Sequence, residues 1–412
     1  MLTRRQFLGH SAVALGAAAL VPPFLARAAR AVREEINAGR YGPDTILVVI
    51  QMSGGNDGLN TVIPYGLDGY AGARTSIAIS ERDVLPLTDR LGLHPEMEKL
   101  HDLYRAGQVA IVQGVGYPNP NLSHFRALDI WHTAAPDTYE TTGWLANHVA
   151  ATNGADENPI YAASVTDGLN RSLYGPGVTV PAVISLPAYQ YRTDGRYPDD
   201  RGRQLAYVEW AYGQDYAASV LLGHITSTGA NALASSDRVQ QAATAYASTV
   251  EYPQFPLGNS LKTVAQLMAG DLGTRIYYVA FGGFDTHAAQ PNTHARLLRG
   301  FSDSVSAFLT DVGELGMRDQ VLLMTLSEFG RRVQENGSSG TDHGTAGPMF
   351  LIGSRVRGGL YGEHPSLLDL DSNKNLNFGV DFRAVYSTVL DGWLGADSDA
   401  VLGAQYENVG FV

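Results

Sequence analysis

The sequence predicts an α/β fold with a doubly wound, mostly parallel sheet that carries helices on both faces. Short, continuous apolar runs rich in β-branched residues recur along the chain, as expected for strands that are buried on both faces. Amphipathic helical patterns lie between those runs. Alternation of strands and helices over this length is typical of a parallel sheet whose crossovers are helical.

Six apolar runs are predicted as strands, and helical patterns separate several of them. The predicted strands are Thr45–Met52, Val109–Val115, Val178–Leu186, Arg275–Phe281, Val321–Leu326 and Pro348–Ile352, and the predicted helices include His94–Ala106, Asn292–Leu315 and Asp381–Leu394. The stretch 189–252 is rich in Tyr, Ala and Gln and is predicted to be a helical insertion rather than a separate domain. We therefore expect a single domain over residues 44–412.

Composition excludes several classes of protein. The 412 residues contain no Cys, which rules out disulfides, thiolate metal sites and a cysteine nucleophile. A formal net charge of -12 argues against a nucleic-acid-coating protein, because neutralising phosphates requires a basic surface. With 44% hydrophobic residues the chain is expected to fold around a large core.

The first 28 residues are predicted to be a secretory signal peptide. Arg4 and Arg5 precede an apolar stretch over residues 8–25, and small residues flank Arg27 at its end. The paired arginines followed by Phe-Leu are typical of the twin-arginine export signal. A retained membrane anchor is disfavoured because the stretch is rich in Ala and Gly and is broken by two prolines. We expect a linker over residues 29–43, a periplasmic or secreted mature protein, transient contact with the twin-arginine translocase, and no stable membrane span.

Polar clusters follow four of the predicted strands. In open α/β sheets, ligands bind beyond the carboxyl ends of the strands. The candidate residues in these clusters are Asp57, Ser123, His124, Asp285, His287, Glu328, Arg331, Asp342 and His343. Carboxylate oxygens and neutral imidazoles are the usual ligands of a divalent metal ion when thiolates are absent, so the set predicts a metal centre.

Some of these residues also have structural interpretations. Asp57 before Gly58 is a common turn, and Glu328 is suited to capping the next turn or pairing with Arg331. Ser123 is suited to be the N-cap of a helix that begins at His124. The same position also suits a nucleophile, because the positive end of the helix dipole stabilises a nearby anion.

Taken together, the motifs resemble a known family. MSGGNDGLNTVIPY, GVGYPNPNLSHFRALDIWHTA, FGGFDTH, TLSEFGRR, GTDHGT and GGLYGEHPSL, with the export signal, are similar to exported bacterial proteins of the domain of unknown function 1501 family. That family is in turn similar to the alkaline phosphatase/sulfatase superfamily. The resemblance implies an alkaline-phosphatase-like fold.

The resemblance also implies roles for individual residues. Asp57 matches the first metal aspartate and Ser123 the nucleophile at a helix start, whereas Asp285 with His287 matches the Asp/His pair. Glu328 stands where a second Asp-His begins, and His343 matches the last ligand. The pair here is spaced D-x-H, and Ser-Glu-Phe replaces the Asp-His dipeptide. The departures favour a single ion, or an oxygen-rich calcium or magnesium site, over two zinc ions.

Two functions follow from this interpretation. The first is an exported metal-dependent hydrolase of phosphate or sulfate esters, in which Ser123 attacks a small anionic ester and Arg331 or Arg126 neutralises the transferred group. His124 is grouped with Ser123 and Arg331 as catalytic, and the metal is zinc, calcium or magnesium. The alternative is a non-catalytic exported binding or assembly protein on the same fold, with the Tyr-rich insertion as its contact surface.

The export signal gives the first testable prediction. Replacing both Arg4 and Arg5 by Lys is expected to leave the protein in the cytoplasm with its first 28 residues attached, because the paired arginines are what the translocase recognises. Cell fractionation with immunoblotting checks this, and replacing Arg27 alone by Lys serves as the control. Unchanged periplasmic delivery of the double variant would refute the twin-arginine interpretation.

Overall fold

The structure is a computed structural model that describes residues 44–152, 158–214, 216 and 219–412. The predicted signal peptide and linker lie outside these residues. The strands are β1 (Ile46–Ser53), β2 (Val62–Ile63), β3 (Leu85–Pro86), β4 (Gly92–Leu93), β5 (Val109–Gly116), β6 (Ala162–Val165), β7 (Ile276–Gly282), β8 (Val321–Leu326), β9 (Arg331–Glu335), β10 (Thr341–His343), β11 (Gly347–Ile352), β12 (Gly359–Tyr361) and β13 (Val380–Asp381). The helices are α1 (Tyr70–Ala73), α2 (Glu98–Arg105), α3 (His124–Thr133), α4 (Trp144–Ala151), α5 (Arg201–Tyr212), α6 (Val220–Ala245), α7 (Pro256–Ala269), α8 (Gln290–Glu314), α9 (Phe382–Gly392) and α10 (Ser398–Leu402).

The central sheet is mixed and mostly parallel. Seven strands run in the order β12-β5-β11-β8-β1-β7-β6, and β13 also pairs with β5. Strand β1 is parallel to both of its neighbours, β7 and β8, whereas β11 is antiparallel to β8 and β5. The predicted α/β class with a mostly parallel sheet is therefore confirmed.

Alternate side chains of the central strands enter two separate cores, one on each face of the sheet. Val48 and Ile50 of β1 belong to a core that α7 and α8 cover. Leu47 and Val49 belong to a second core that α3, α4 and α9 cover. Because both faces are covered, these strands are apolar throughout rather than alternating, which is why the sequence revealed them.

One predicted strand is wrong. Val178–Leu186 forms no strand, and only Ala182 within it bridges the sheet, at Ser164 of β6. Pro181 interrupts the run, since proline has no N–H to give to a strand ladder. The other five predicted strands are confirmed to within one residue at each end.

The predicted helices are also present. The pattern over 94–106 begins as a 3₁₀ turn at Pro95–Met97 and continues as α2. The long amphipathic pattern forms α8, and the C-terminal one forms α9. The stretch 189–252 contains α5 and α6. Within the described ranges, no helix is both long and apolar enough to span a membrane.

The topology places four strand ends at one edge of the sheet. Strands β1, β7 and β8 are mutually parallel, and β5 runs in the same direction because it is antiparallel to β11. The loops that follow β1, β5, β7 and β8 therefore leave the sheet at the same edge. The predicted polar clusters all lie in or just beyond these loops.

A buried histidine in α4 gives a stability prediction. His148 is 1% exposed, and neither ring nitrogen has a hydrogen-bond partner among the residues that the structure describes. Burial lowers the pKa of His148 from 6.5 to about 4. Between these values the unfolded chain binds a proton that the folded chain does not, so stability present above pH 6.5 is lost as the pH falls towards 4. The loss at this residue is about 3 kcal/mol.

His148→Leu is expected to remove that part of the pH dependence and to raise stability at neutral pH, because no unpaired ring nitrogen remains buried. His148→Gln is the matched control: it also loses the pH dependence, but it keeps a buried polar group and gains no stability. Urea unfolding between pH 7 and pH 4 measures both effects as differences from the wild type. Identical pH profiles for wild type and His148→Leu would contradict the prediction.

Candidate metal centre at the carboxyl edge of the sheet

The turn after β1 brings three loops together. Gly54 and Gly55 have positive φ values of 119° and 76°, in the left-handed region that glycine tolerates. A Cβ on Gly54 would lie 2.4 Å from the backbone nitrogen of Asp285, and one on Gly55 would lie 2.3 Å from the ring of Phe329. Only glycine at both positions allows the loops after β7 and β8 to pack this closely against the turn.

Arg331 binds these loops to one another from inside. Its side chain is fully buried, and its guanidinium donates to the carbonyl oxygens of Gly54, Gly55, Phe284 and Thr341 and to Asp285 Oδ1. The sequence predicted that Arg331 neutralises a substrate anion. In the structure Arg331 instead holds the loops together, because all three guanidinium nitrogens already donate to protein oxygens and none is exposed.

Asp57 does not join the other predicted metal ligands. It is fully buried, and its two carboxylate oxygens accept from the Arg74 guanidinium at 2.5 and 2.9 Å. Gln290 Nε2 donates to the same carboxylate at 2.5 Å. Burial acts to raise the pKa of Asp57, but the charge and hydrogen bonds of Arg74 outweigh it and the pKa lies below its usual value. Asp57 is therefore half of a buried ion pair that supports the loop.

Three histidines meet at the sheet edge, each held at Nδ1 by an oxygen acceptor. His124 Nδ1 lies 2.8 Å from Glu328 Oε1, and His287 Nδ1 lies 3.2 Å from Asp342 Oδ1. His343 Nδ1 lies 2.8 Å from the Leu122 carbonyl oxygen. Carbonyl and carboxylate oxygens only accept, so we assign the ring proton to Nδ1 in all three and a free lone pair to Nε2.

The three Nε2 atoms converge on the carboxylate of Asp285. His287 Nε2 lies 3.0 Å from His343 Nε2 and 3.1 Å from Asp285 Oδ1, and His343 Nε2 lies 3.3 Å from the same oxygen. His124 Nε2 lies 3.5 Å from Asp285 Oδ2. His124, Asp285 and His343 each offer a ligand atom within 4.8 Å of the other two. Lone pairs and a carboxylate this close repel one another unless a cation or a proton lies between them.

The spacing fits a small divalent cation. A tetrahedral zinc ion bonded at about 2.0–2.1 Å separates its ligands by about 3.3 Å. The triangle of His287 Nε2, His343 Nε2 and Asp285 Oδ1 has sides of 3.0, 3.1 and 3.3 Å. Burial lowers the pKa of the His343 imidazole, which favours the neutral form that a metal ligand requires. The separations of these three atoms therefore match those around one small divalent ion.

Glu328 lies behind the histidines. It is 1% exposed, and its Oε1 accepts from Gly54 N and His124 Nδ1, both at 2.8 Å. Its Oε2 is buried, without a hydrogen-bond partner among the described residues. A buried carboxylate that orients a histidine is a common second partner of metal centres. Asp342 stands in the same relation to His287.

Ser123 lies between two residues that touch the centre. Its backbone occupies the N-cap position of α3, as predicted, but its side chain makes no capping hydrogen bond. Leu122, just before it, accepts from His343, and His124, just after it, contacts Glu328. Ser123 is therefore exposed at the N-terminus of α3, next in sequence to His124.

The structure thus gathers His124, Asp285, His287 and His343, with Glu328 and Asp342 supporting them. It adds partners that no sequence pattern indicated. Arg74 and Gln290 both bind Asp57, and the centroid of the Phe329 ring lies 4.4 Å from that of His343 and 4.9 Å from that of His124. Arg126, the other predicted anion-binding arginine, pairs with Asp129 and donates to three backbone carbonyls.

Fold and centre define an α/β protein with an imidazole-rich polar cluster at the carboxyl edge of its sheet. The chain belongs to the family described as "Protein of unknown function (DUF1501)", whose sequence model matches residues 44–403. The predicted family is therefore confirmed. No curated protein matches the sequence.

Several solved structures are similar to this chain at low identity. The C-terminal periplasmic domain of EptC from Escherichia coli, in complex with Zn, is 11% identical with a TM-score of 0.36, and the match covers 76% of this chain and 73% of that one. The PsFucS1 sulfatase from Pseudoalteromonas sp. is 11% identical with a TM-score of 0.38, covering 95% and 75%. A protein in the alkaline phosphatase superfamily from Vibrio parahaemolyticus is 8% identical with a TM-score of 0.37, covering 88% and 70%.

The centre predicts metal binding. Elemental analysis of protein purified without chelator is expected to find about one divalent ion per chain, and the double variant Asp285→Asn, His287→Ala is expected to lose it. At free metal roughly 100-fold above its Kd, bound ion adds about 3 kcal/mol to the free energy of unfolding, which a chelator removes.

The matched control is His101→Ala, Asp102→Asn on α2, which removes the same two residue types from a helix outside the centre and is expected to keep the ion. A native protein that contains no metal, and whose melting temperature a chelator leaves unchanged, would contradict the prediction.

Proposed function

We propose that this protein is an exported, metal-dependent hydrolase of phosphate or sulfate esters. The observation that carries the proposal is the convergence of three imidazole Nε2 atoms on the Asp285 carboxylate, with every imidazole fixed through Nδ1. Such anchoring is typical of metal centres, where an outer oxygen sets the tautomer and orientation of each ligand.

The donor set favours zinc over calcium or magnesium. His287 and His343 offer nitrogen, and Asp285 offers the oxygen that completes the triangle. Calcium and magnesium prefer six or more oxygen ligands, whereas zinc takes imidazole and carboxylate in a tetrahedral set that leaves one position for substrate. An ion held there would act as a Lewis acid on the ester oxygen.

Residues next to this set are proposed to carry the remaining steps. The Ser123 hydroxyl is the proposed nucleophile, because it is exposed at the start of α3, where the helix dipole favours an anion. His124 is the proposed proton carrier: Glu328 keeps its Nδ1 protonated, so Nε2 is the atom that takes up and releases a proton. Arg331 positions Asp285 and the turn after β1 rather than touching substrate.

A second candidate function is binding or assembly without catalysis. The observation that favours it is an exposed apolar surface on the helical insertion. Tyr207 and Trp210 of α5 are 67% and 60% exposed, and Leu221 at the start of α6 is 69% exposed. The ring centroids of Tyr207 and Trp210 lie 5.7 Å apart, and exposed aromatic side chains grouped in this way are typical of contact surfaces. A metal-loaded wild type that hydrolyses no ester would favour this function over the first.

Ser123 separates the two functions. Ser123→Ala is expected to change the free energy of unfolding by less than about 0.5 kcal/mol, because the hydroxyl makes no capping hydrogen bond. If Ser123 is the nucleophile, the same change lowers turnover of aryl phosphates or sulfates by at least about a thousandfold. Ser123→Asp is likewise expected to stay folded and to be inactive. The assay is hydrolysis of a small ester panel with zinc, magnesium or calcium added singly.

Ser354→Ala is the matched control, because Ser354 follows the antiparallel strand β11 and so lies at the opposite edge of the sheet. It is expected to retain full activity. Activity that survives in Ser123→Ala would show that water, rather than Ser123, is the nucleophile.

A further inference from the structure

Phe329 packs against two of the imidazoles that form the centre. It is 3% exposed and lies in the loop after β8, directly after Glu328. The centroid of its ring lies 4.4 Å from that of His343 and 4.9 Å from that of His124, with interplanar angles of 36° and 45°. The two imidazole centroids are 4.5 Å apart, and their planes are nearly perpendicular. The three rings therefore form one aromatic cluster in which each contacts the other two.

The Phe329 ring is itself held in place by its surroundings. A Cβ on Gly55 would lie 2.3 and 2.5 Å from two carbons of the ring, so the turn after β1 packs directly against it. The carbonyl oxygen of Glu328, one residue earlier, accepts from Trp131 Nε1 of α3 at 2.9 Å and ties this loop to the helix. A buried ring packed this closely has little room to change its orientation. Phe329 therefore presents a fixed ring to the imidazoles.

Hydrogen bonds alone leave the planes of these two imidazoles undefined. The Nδ1 atoms of His124 and His343 each have one acceptor, Glu328 Oε1 and the Leu122 carbonyl oxygen, both at 2.8 Å. Such a bond sets the tautomer and the position of one nitrogen, but the ring can still tilt about it. Contact with a neighbouring ring limits that tilt, because a tilted imidazole would overlap its neighbour. Phe329 supplies this contact to both imidazoles.

Resting on the proposed function, we propose that Phe329 is a positioning residue that fixes the planes of the His124 and His343 imidazoles. Their Nε2 atoms are thereby kept 3.5 Å from Asp285 Oδ2 and 3.3 Å from Asp285 Oδ1. The Phe329 ring has no polar atom, so it competes for neither a cation nor a proton. Its planar shape, rather than its volume alone, orients the imidazoles. Orienting the ligands in advance raises metal affinity, because less ordering remains to be done when the ion binds.

Metal binding by the full chain tests this without relying on activity. Competition with a chromophoric chelator measures zinc affinity, and the visible absorption of bound cobalt(II) reports the geometry of its ligands. Phe329→Leu is expected to weaken zinc binding at least about tenfold and to change the cobalt spectrum. Phe329→Met, which fills a similar volume with a flexible chain, is expected to show the same two changes. Phe301→Leu is the matched control, the same substitution at a fully buried phenylalanine of α8, and is expected to keep both wild-type values.

At saturating zinc, displacement of the His124 imidazole in Phe329→Leu is expected to lower kcat for an aryl phosphate or sulfate at least about tenfold and to change KM little. Wild-type zinc affinity and cobalt spectrum in Phe329→Leu, or their recovery in Phe329→Met, would overturn the inference and leave the proposed hydrolase standing. A wild type that binds zinc but hydrolyses no ester would refute the proposed function, and the two metal measurements would then decide the role of Phe329 by themselves. A wild type that binds neither ion would refute both.

Discussion

The buried guanidinium of Arg331 is the interaction on which the candidate centre depends. It joins backbone carbonyls from the turn after β1, the loop after β7 and strand β10, and it pairs with Asp285. A buried charge is tolerated only when it is paired and fully hydrogen-bonded, so Arg331 requires all of these acceptors to meet at one point. The loops that carry Asp285 and His343 are thereby held together before any ligand binds.

A second buried ion pair supports the same loops. Arg74 binds Asp57, and Gln290 at the start of α8 links that carboxylate to the hydroxyls of Thr286 and Thr341. Charged residues at this edge therefore divide into two groups. The residues of one group, such as Arg331, bind backbone carbonyls. The other group, the imidazoles with Asp285, faces outward, and its lone pairs are available to a ligand. Preorganisation of this kind is what a metal centre needs from its protein.

The sequence predicted the position of the centre more accurately than the role of each residue in it. Continuous apolar runs revealed the parallel strands, and parallel strands end at a common edge, so the convergence of His124, Asp285 and His343 followed. Strand β9 was not predicted, so no sequence pattern indicated that the Arg331 side chain is buried beneath the loops. Nor does sequence pair Asp57 with Arg74, because a long-range ion pair leaves no periodic signal. The prediction of a strand over Val178–Leu186 was wrong for a simpler reason, since Pro181 has no N–H to donate to the ladder.

Local and global charge act in opposite directions on an anionic ligand. The whole chain carries a formal net charge of -12, so its long-range field repels anions and does not steer them inward. Attraction must then arise within the last few ångströms, from the cation that the imidazoles can hold. Arg331 and Arg126 are paired with Asp285 and Asp129, so neither guanidinium is available to bind an anion at the centre.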